Sequence, residues 1–79
     1  MPVTNSITYR GWMITPRTFQ INGSLEWTLD LVIAYRTKRR AFSGPAKFPT
    51  EEEAIRGCYA FGRRVIDGRE PHCSLEGLR

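Results

Sequence analysis

Seventy-nine residues, 41% hydrophobic and 25% charged, make one small globular domain and exclude a disordered polar chain. A chain this short buries only about 60% of its extended surface, so a second subunit would add core that one copy lacks. Twelve basic residues, ten of them arginine, against eight acidic ones leave a formal charge of +4, a surplus that suits anionic partners without naming one.

No apolar run approaches the ~20 residues of a membrane helix. The start, Met1-Pro2-Val3-Thr4-Asn5-Ser6, lacks the basic region and apolar core of a signal peptide, so a cytoplasmic location is expected. Residues 1–6 read as a short polar lead, 7–68 as a single domain and 69–79 as a flexible C-terminal tail.

Residues 7–10 begin a β-type alternation that breaks at Gly11, the mark of a bulge or of a place where another side chain needs the room, and resumes with Trp12-Met13-Ile14. Pro16 cannot donate a ladder hydrogen bond, which ends this strand near Thr15 or puts Pro16 on an edge. Phe19 and Ile21 continue the alternation into Asn22-Gly23, the strongest turn signal in the chain. The cleanest strand follows, with Trp27, Leu29, Leu31, Ile33 and Tyr35 on one side and Thr28, Asp30, Val32 and Ala34 on the other. Thr37-Lys38 is expected to turn the chain into a strand over residues 39–43, ended by Gly44-Pro45. Ala46-Lys47-Phe48 then links to the helix, with Phe48 expected to pack on its first turn.

The helix itself is strongly signalled. Thr50 is a good N-cap, Glu53 completes a capping box, and Glu51, Glu52 and Glu53 place negative charge at the positive end of the dipole. Ala54, Ile55, Cys58, Tyr59, Phe61, Gly62, Val65 and Ile66 cover one broad face, roughly 160° wide at 100° per residue. Glu52–Arg56 and Arg63–Asp67 form i,i+4 pairs on the far side, and Asp67-Gly68 supplies the stop, Gly68 as a left-handed cap. A mid-helix glycine costs about 1 kcal/mol against alanine, so Gly62 is expected to mark close approach of the helix to a strand. The resulting fold class is α+β: a three- to four-stranded antiparallel sheet, a β-β-β-α meander, covered on one face by a single C-terminal helix.

Chemistry is sparse. There is no Gly-rich phosphate loop, and His72 and Cys73 are adjacent and distant from Cys58, which is not a zinc spacing; no metal or cofactor is expected. Nor does His72-Cys73 form a nucleophile–base pair with an orienting third group. Two cysteines do not make a disulfide framework; Cys58 reads as a small buried hydrophobe, and a Cys58–Cys73 bridge would need the tail to fold back along the helix. The three consecutive glutamates are spread around the helix start as caps. The reading is therefore non-enzymatic.

Two interaction surfaces stand out. Arg36-Thr37-Lys38-Arg39-Arg40 puts four positive charges at a hairpin tip, and Arg10, Arg17 and Lys47 would extend the patch if they shared an edge; such a tip could hold nucleic-acid phosphates. The alternative for the run is a solvated turn that discourages edge-to-edge pairing. The second surface is the uncovered sheet face, with Thr28, Asp30, Val32 and Ala34, through which two copies could stack or a protein partner could bind. An interaction or self-association module is the first reading, and nucleic-acid binding through residues 36–40 is the alternative.

Tyr9-Arg10-Gly11-Trp12-Met13-Ile14, Phe48-Pro49-Thr50-Glu51-Glu52-Glu53-Ala54-Ile55 and Gly62-Arg63-Arg64-Val65-Ile66-Asp67-Gly68 together resemble a group of small uncharacterised bacterial proteins, strands followed by one helix, over roughly residues 7–68. That resemblance implies the fold and a bacterial cytosolic origin, and no activity. A looser likeness, carried by the aromatic-threonine-x-x-glutamate-alanine helix start of residues 48–54, is to the arm-binding domains of tyrosine recombinases and to plant AP2-type DNA-binding domains. It implies DNA contacts on the sheet around Thr28, Asp30, Arg36 and Arg40.

Overall fold

The structure is a computed structural model and describes residues 5–78; the first four residues of the polar lead and Arg79 lie outside the described residues. It contains β1 (Ile7–Tyr9), β2 (Trp12–Pro16), β3 (Trp27–Tyr35), β4 (Lys38–Phe48) and α1 (Glu51–Ile66). The strands form one antiparallel sheet in the order β1-β2-β3-β4, and α1 follows them. The molecule is therefore α+β with β-β-β-β-α order.

Gly11 marks a turn and not a bulge. Arg10 and Gly11, at φ 52° and 83°, are the two central residues of a tight hairpin that pairs Tyr9 with Trp12. Positive φ at both positions matches the right-handed twist of the flanking strands. This turn splits the first alternation into two strands. Pro16 is accommodated in β2 because its neighbour Arg17 donates its N–H toward β3, to Asp30 O at 2.7 Å. The Pro16 nitrogen therefore points to the opposite side, beyond the point where β1 ends opposite Ile14. Asn22 and Gly23 do turn the chain, with Gly23 at φ 78° and Ser24 N bonded to Ile21 O.

The β3–β4 hairpin turns one residue earlier than expected, at Arg36-Thr37, and pairs Tyr35 with Lys38. Gly44-Pro45 does not end the strand. Leu29 pairs with Gly44 but Thr28 with Lys47, so Pro45 and Ala46 are looped out as a bulge and β4 resumes to Phe48. β4 is an edge strand, where a missing N–H is tolerated. Gly44 lets Leu29 approach closely there, since a Cβ would meet Leu29 Cδ2 at 2.8 Å.

Trp12, Ile14, Leu29, Leu31 and Ile33 from the sheet meet Ala54, Cys58, Phe61 and Val65 from α1 to form the core. The helix starts as its sequence demands. Thr50 Oγ1 accepts from Glu53 N at 3.1 Å, and Arg56 bonds Glu52 at 2.8 Å. It ends in a Schellman arrangement, Gly68 N to Val65 O and Arg69 N to Arg64 O, with Gly68 at φ 76°. Asp67, expected opposite Arg63, is instead engaged by the β1–β2 hairpin: it accepts from Tyr9 Oη at 2.8 Å and lies 3.2 Å from Arg10 Nε. The helix end lies against that hairpin, so a partner from the sheet reaches Asp67.

Two helix glycines mark close approach. A Cβ on Gly62 would fall 2.8, 2.9 and 3.1 Å from three carbons of Ile14, so β2 is the strand it admits. Gly57 admits Phe48, whose Cζ would stand 2.3 Å from a Cβ there. Phe48 therefore packs against the second turn of the helix. The described tail, residues 69–78, has neither helix nor strand, as its lack of period predicts, yet Leu78 is only 4% exposed and joins the core.

Candidate functional site

Strand alternation divides the basic run between the two sheet faces. Lys38 pairs with Tyr35 and Arg40 with Ile33, which puts both on the helix side. Arg39, opposite Ala34, alone goes to the uncovered face. Arg40 donates Nη1 to Ser74 O at 2.7 Å and Nη2 to Glu76 O at 2.9 Å, and Lys38 Nζ reaches Gly77 O at 3.4 Å. Arg36 leans over the Tyr35 ring, 5.5 Å from its centroid. Two of the four cations at the tip are thus occupied within the chain.

The other expected cations are not one patch either. Arg10 shares the hairpin end but is held by Tyr9 and Asp67; Tyr9 first, then Asp67, raise its pKa still further above the ordinary guanidinium value. Lys47 lies nine residues along β4 from Lys38, roughly 30 Å at ~3.3 Å per residue, and its Nζ bonds Pro45 O at 3.0 Å. Arg17 follows β2 at that same far end. Basic residues that are neighbours in sequence are separated by the pleat, and Arg17 and Lys47 lie at the other end of the sheet.

The uncovered face is more coherent. Its central row is Thr15, Val32 and Ala41; toward the hairpin lie Thr8, Met13, Ala34 and Arg39; toward the other end lie Asp30 and Ser43. Asp30, Val32 and Ala34, expected on this face, are there and half-buried. Thr28 is not available: it is 8% exposed, accepts from Phe19 N at 3.1 Å and receives Thr18 Oγ1 on its carbonyl at 2.6 Å. The segment after β2 lies across it. Met13 is 46% exposed, and Arg17 lines with Asp30, Val32 and Ala41 a shallow depression of about 290 Å³. Met13, Thr15, Ala41 and Ser43 were not singled out in the sequence, because only a register says which parity of β2 and β4 shares a face with Val32.

Chemistry remains sparse at both places. Among the described residues no group of three His, Cys, Asp or Glu could hold a metal ion, and no helix is long and apolar enough to cross a membrane. Cys58 and Cys73 are both free. Cys58 is fully buried and donates Sγ to Asp30 O at 3.2 Å; burial, partly offset by hydrogen bonding to the Asp30 backbone, pushes its thiol pKa up. Burial likewise raises Cys73, with Glu70 adding to it. A raised thiol pKa leaves less thiolate for nucleophilic attack.

No protein-family model, no curated protein and no solved structure matches this chain.

Proposed function

We propose that this protein is a small non-enzymatic interaction domain that self-associates by stacking its uncovered sheet face on the same face of a second copy. The observation that carries the reading is a two-layer molecule only 16 Å across its thinnest dimension, with Met13, Val32, Ala34 and Ala41 on the side away from the helix. A two-fold axis lying across the strands through the Val32–Ala41 row turns Arg39 of one copy over Ser43 of the other, beside Asp30 on the neighbouring strand, so Asp30 offsets part of the positive charge on the face. Size sets the strength: β1 to β4 hold 3, 5, 9 and 11 residues, and at ~3.3 Å per residue and ~4.8 Å between strands their face covers about 440 Å² per copy. Doubled, to about 900 Å², that falls below the roughly 1,200 Å² of stable interfaces, so the dimer is weak and concentration-dependent. Two free cysteines fit a reducing compartment such as the cytoplasm.

Sedimentation equilibrium tests this. The wild type should move from 9.1 kDa toward about twice that mass across micromolar concentrations, and Ala41→Glu, a change at an exposed position, should stay monomeric with the same far-UV spectrum. A wild type that remains at the single-chain mass throughout removes the proposal.

A second reading, contact with nucleic-acid phosphates, draws on Arg17, Arg39 and Lys47 outnumbering Asp30 on this face. It replaces the hairpin tip with the sheet face as the contacting surface.

A further inference from the structure

Residues 70–78 close the hairpin end of the core without forming a regular element, and their contacts follow a pattern. The three hydrogen bonds from β4, two from Arg40 and one from Lys38, all end on main-chain carbonyls, those of Ser74, Glu76 and Gly77. Such bonds read the main chain, here a turn closed by Leu78 N to Leu75 O at 3.0 Å with Gly77 at φ 87°, and are indifferent to side chains. Side-chain recognition falls on Leu78, buried beside Tyr35, Thr37 and Lys38 around a residual space of about 80 Å³, with Cys73 and Leu75 packed more shallowly.

The segment also spans its bed instead of filling it. About 400 Å³ is left between it and the helix end, bounded by Val65, Ile66, Gly68, Cys73 and Leu75. Its upstream tether is Gly68, at φ 76°, and one ion pair, Arg64 Nε to Glu70 Oε2 at 2.8 Å. Two backbone-reading cations, one buried leucine and a loose fit are contacts with which a domain can hold a short turned peptide.

We infer that the groove between the end of α1 and the β3–β4 hairpin is a peptide-docking site, occupied within a copy by its own residues 73–78 and, on exchange, by the same segment of a second copy. The second copy is the occupant because its segment reproduces every contact already made; exchange opens the link at residues 68–72 and breaks those contacts within one copy to remake them in the other. Exchanging an identical element is a low-cost route to association. Within one chain the segment is present at an effective concentration of about millimolar, so self-docking prevails in dilute wild type. Exchange is revealed when one chain keeps the groove and another keeps the tail. This surface is separate from the uncovered sheet face, and the two associations are independent.

The experiment uses full-length chains that all carry Ala41→Glu, which removes face stacking. A 15N-labelled Leu78→Asp chain, with its groove intact and its own anchor lost, is titrated to millimolar concentration with an unlabelled Arg40→Ala chain, whose tail is intact and whose groove is weakened. The expected result is a saturable shift of the Tyr35, Lys38, Val65 and Ile66 amides. A donor carrying both Arg40→Ala and Leu78→Asp should bind at least tenfold more weakly. No shift at these amides, or the same shifts with either donor, overturns the inference. If Leu78→Asp loses its helical circular dichroism, Leu78→Ser replaces it, and the same two outcomes decide.

Discussion

Gly62 shows how one position joins helix propensity to packing. Alanine there would gain about 1 kcal/mol of helix propensity, but its Cβ would press within 3.1 Å of three carbons of Ile14, which is fully buried. Overpacking of this kind costs about 1–3 kcal/mol. Gly62→Ala should therefore destabilise by on the order of 1 kcal/mol and lower Tm by roughly 4–8 °C; a higher Tm would show that Ile14 has room to move. Cys58 provides a pH-dependent counterpart. Burial raises its folded pKa above the ordinary value of 9.0, so the neutral thiol contributes its full stability below pH 9. Above that the unfolded chain ionises first, and stability is lost as pH rises toward the folded value, by up to ~1.4 kcal/mol per pH unit. Urea midpoints of wild type should fall more between pH 8 and 10 than those of Cys58→Ala. Equal slopes would mean that Cys58 titrates alike in both states.

At the scale of elements, α1 was legible because its signals are local. The cap at Thr50, the acidic first turn and the Gly68 stop act within one or two turns of chain, and the structure realises each. Thr50→Ala removes the bond to Glu53 N and should destabilise by about 1 kcal/mol, whereas Thr50→Asp, which keeps an acceptor, should stay near wild type. Thermal melts of the pair distinguish a cap from a residue that only packs. The strands were less legible at their ends. Alternation identified β3 throughout, but the Arg10-Gly11 hairpin and the bulge at Pro45-Ala46 depend on what lies opposite. A glycine or proline in a strand-like run does not say whether the chain turns, bulges or stops; the partner strand decides.

For the molecule as a whole, charge is the clearest case of sequence proximity misread as spatial proximity. Residues 36–40 carry four cations, yet the pleat sends Lys38 and Arg40 to the tail and Arg39 to the opposite face. Arg40→Glu would release the tail as well as reverse a charge, so it cannot report on nucleic acid alone. Arg17→Glu with Arg39→Glu changes two exposed positions and is clean. If the sheet face holds phosphates, wild type should retard a DNA duplex at low salt, lose the shift steeply as salt rises, and lose it altogether in this double variant. No retarded band at low salt ends that reading.

The sequence by itself determined the fold class, the helix with both its ends, the buried side of β3 and the burial of Cys58, since each is written in a local period or a cap. Only the tertiary structure decided which faces the cations occupy, which residues of β2 and β4 join Val32 on the bare face, and that Leu78 closes the core. Those depend on strand register and on contacts between residues some 35–40 positions apart. No local pattern encodes them, because a shift of one residue in register turns every side chain of a strand to the other face.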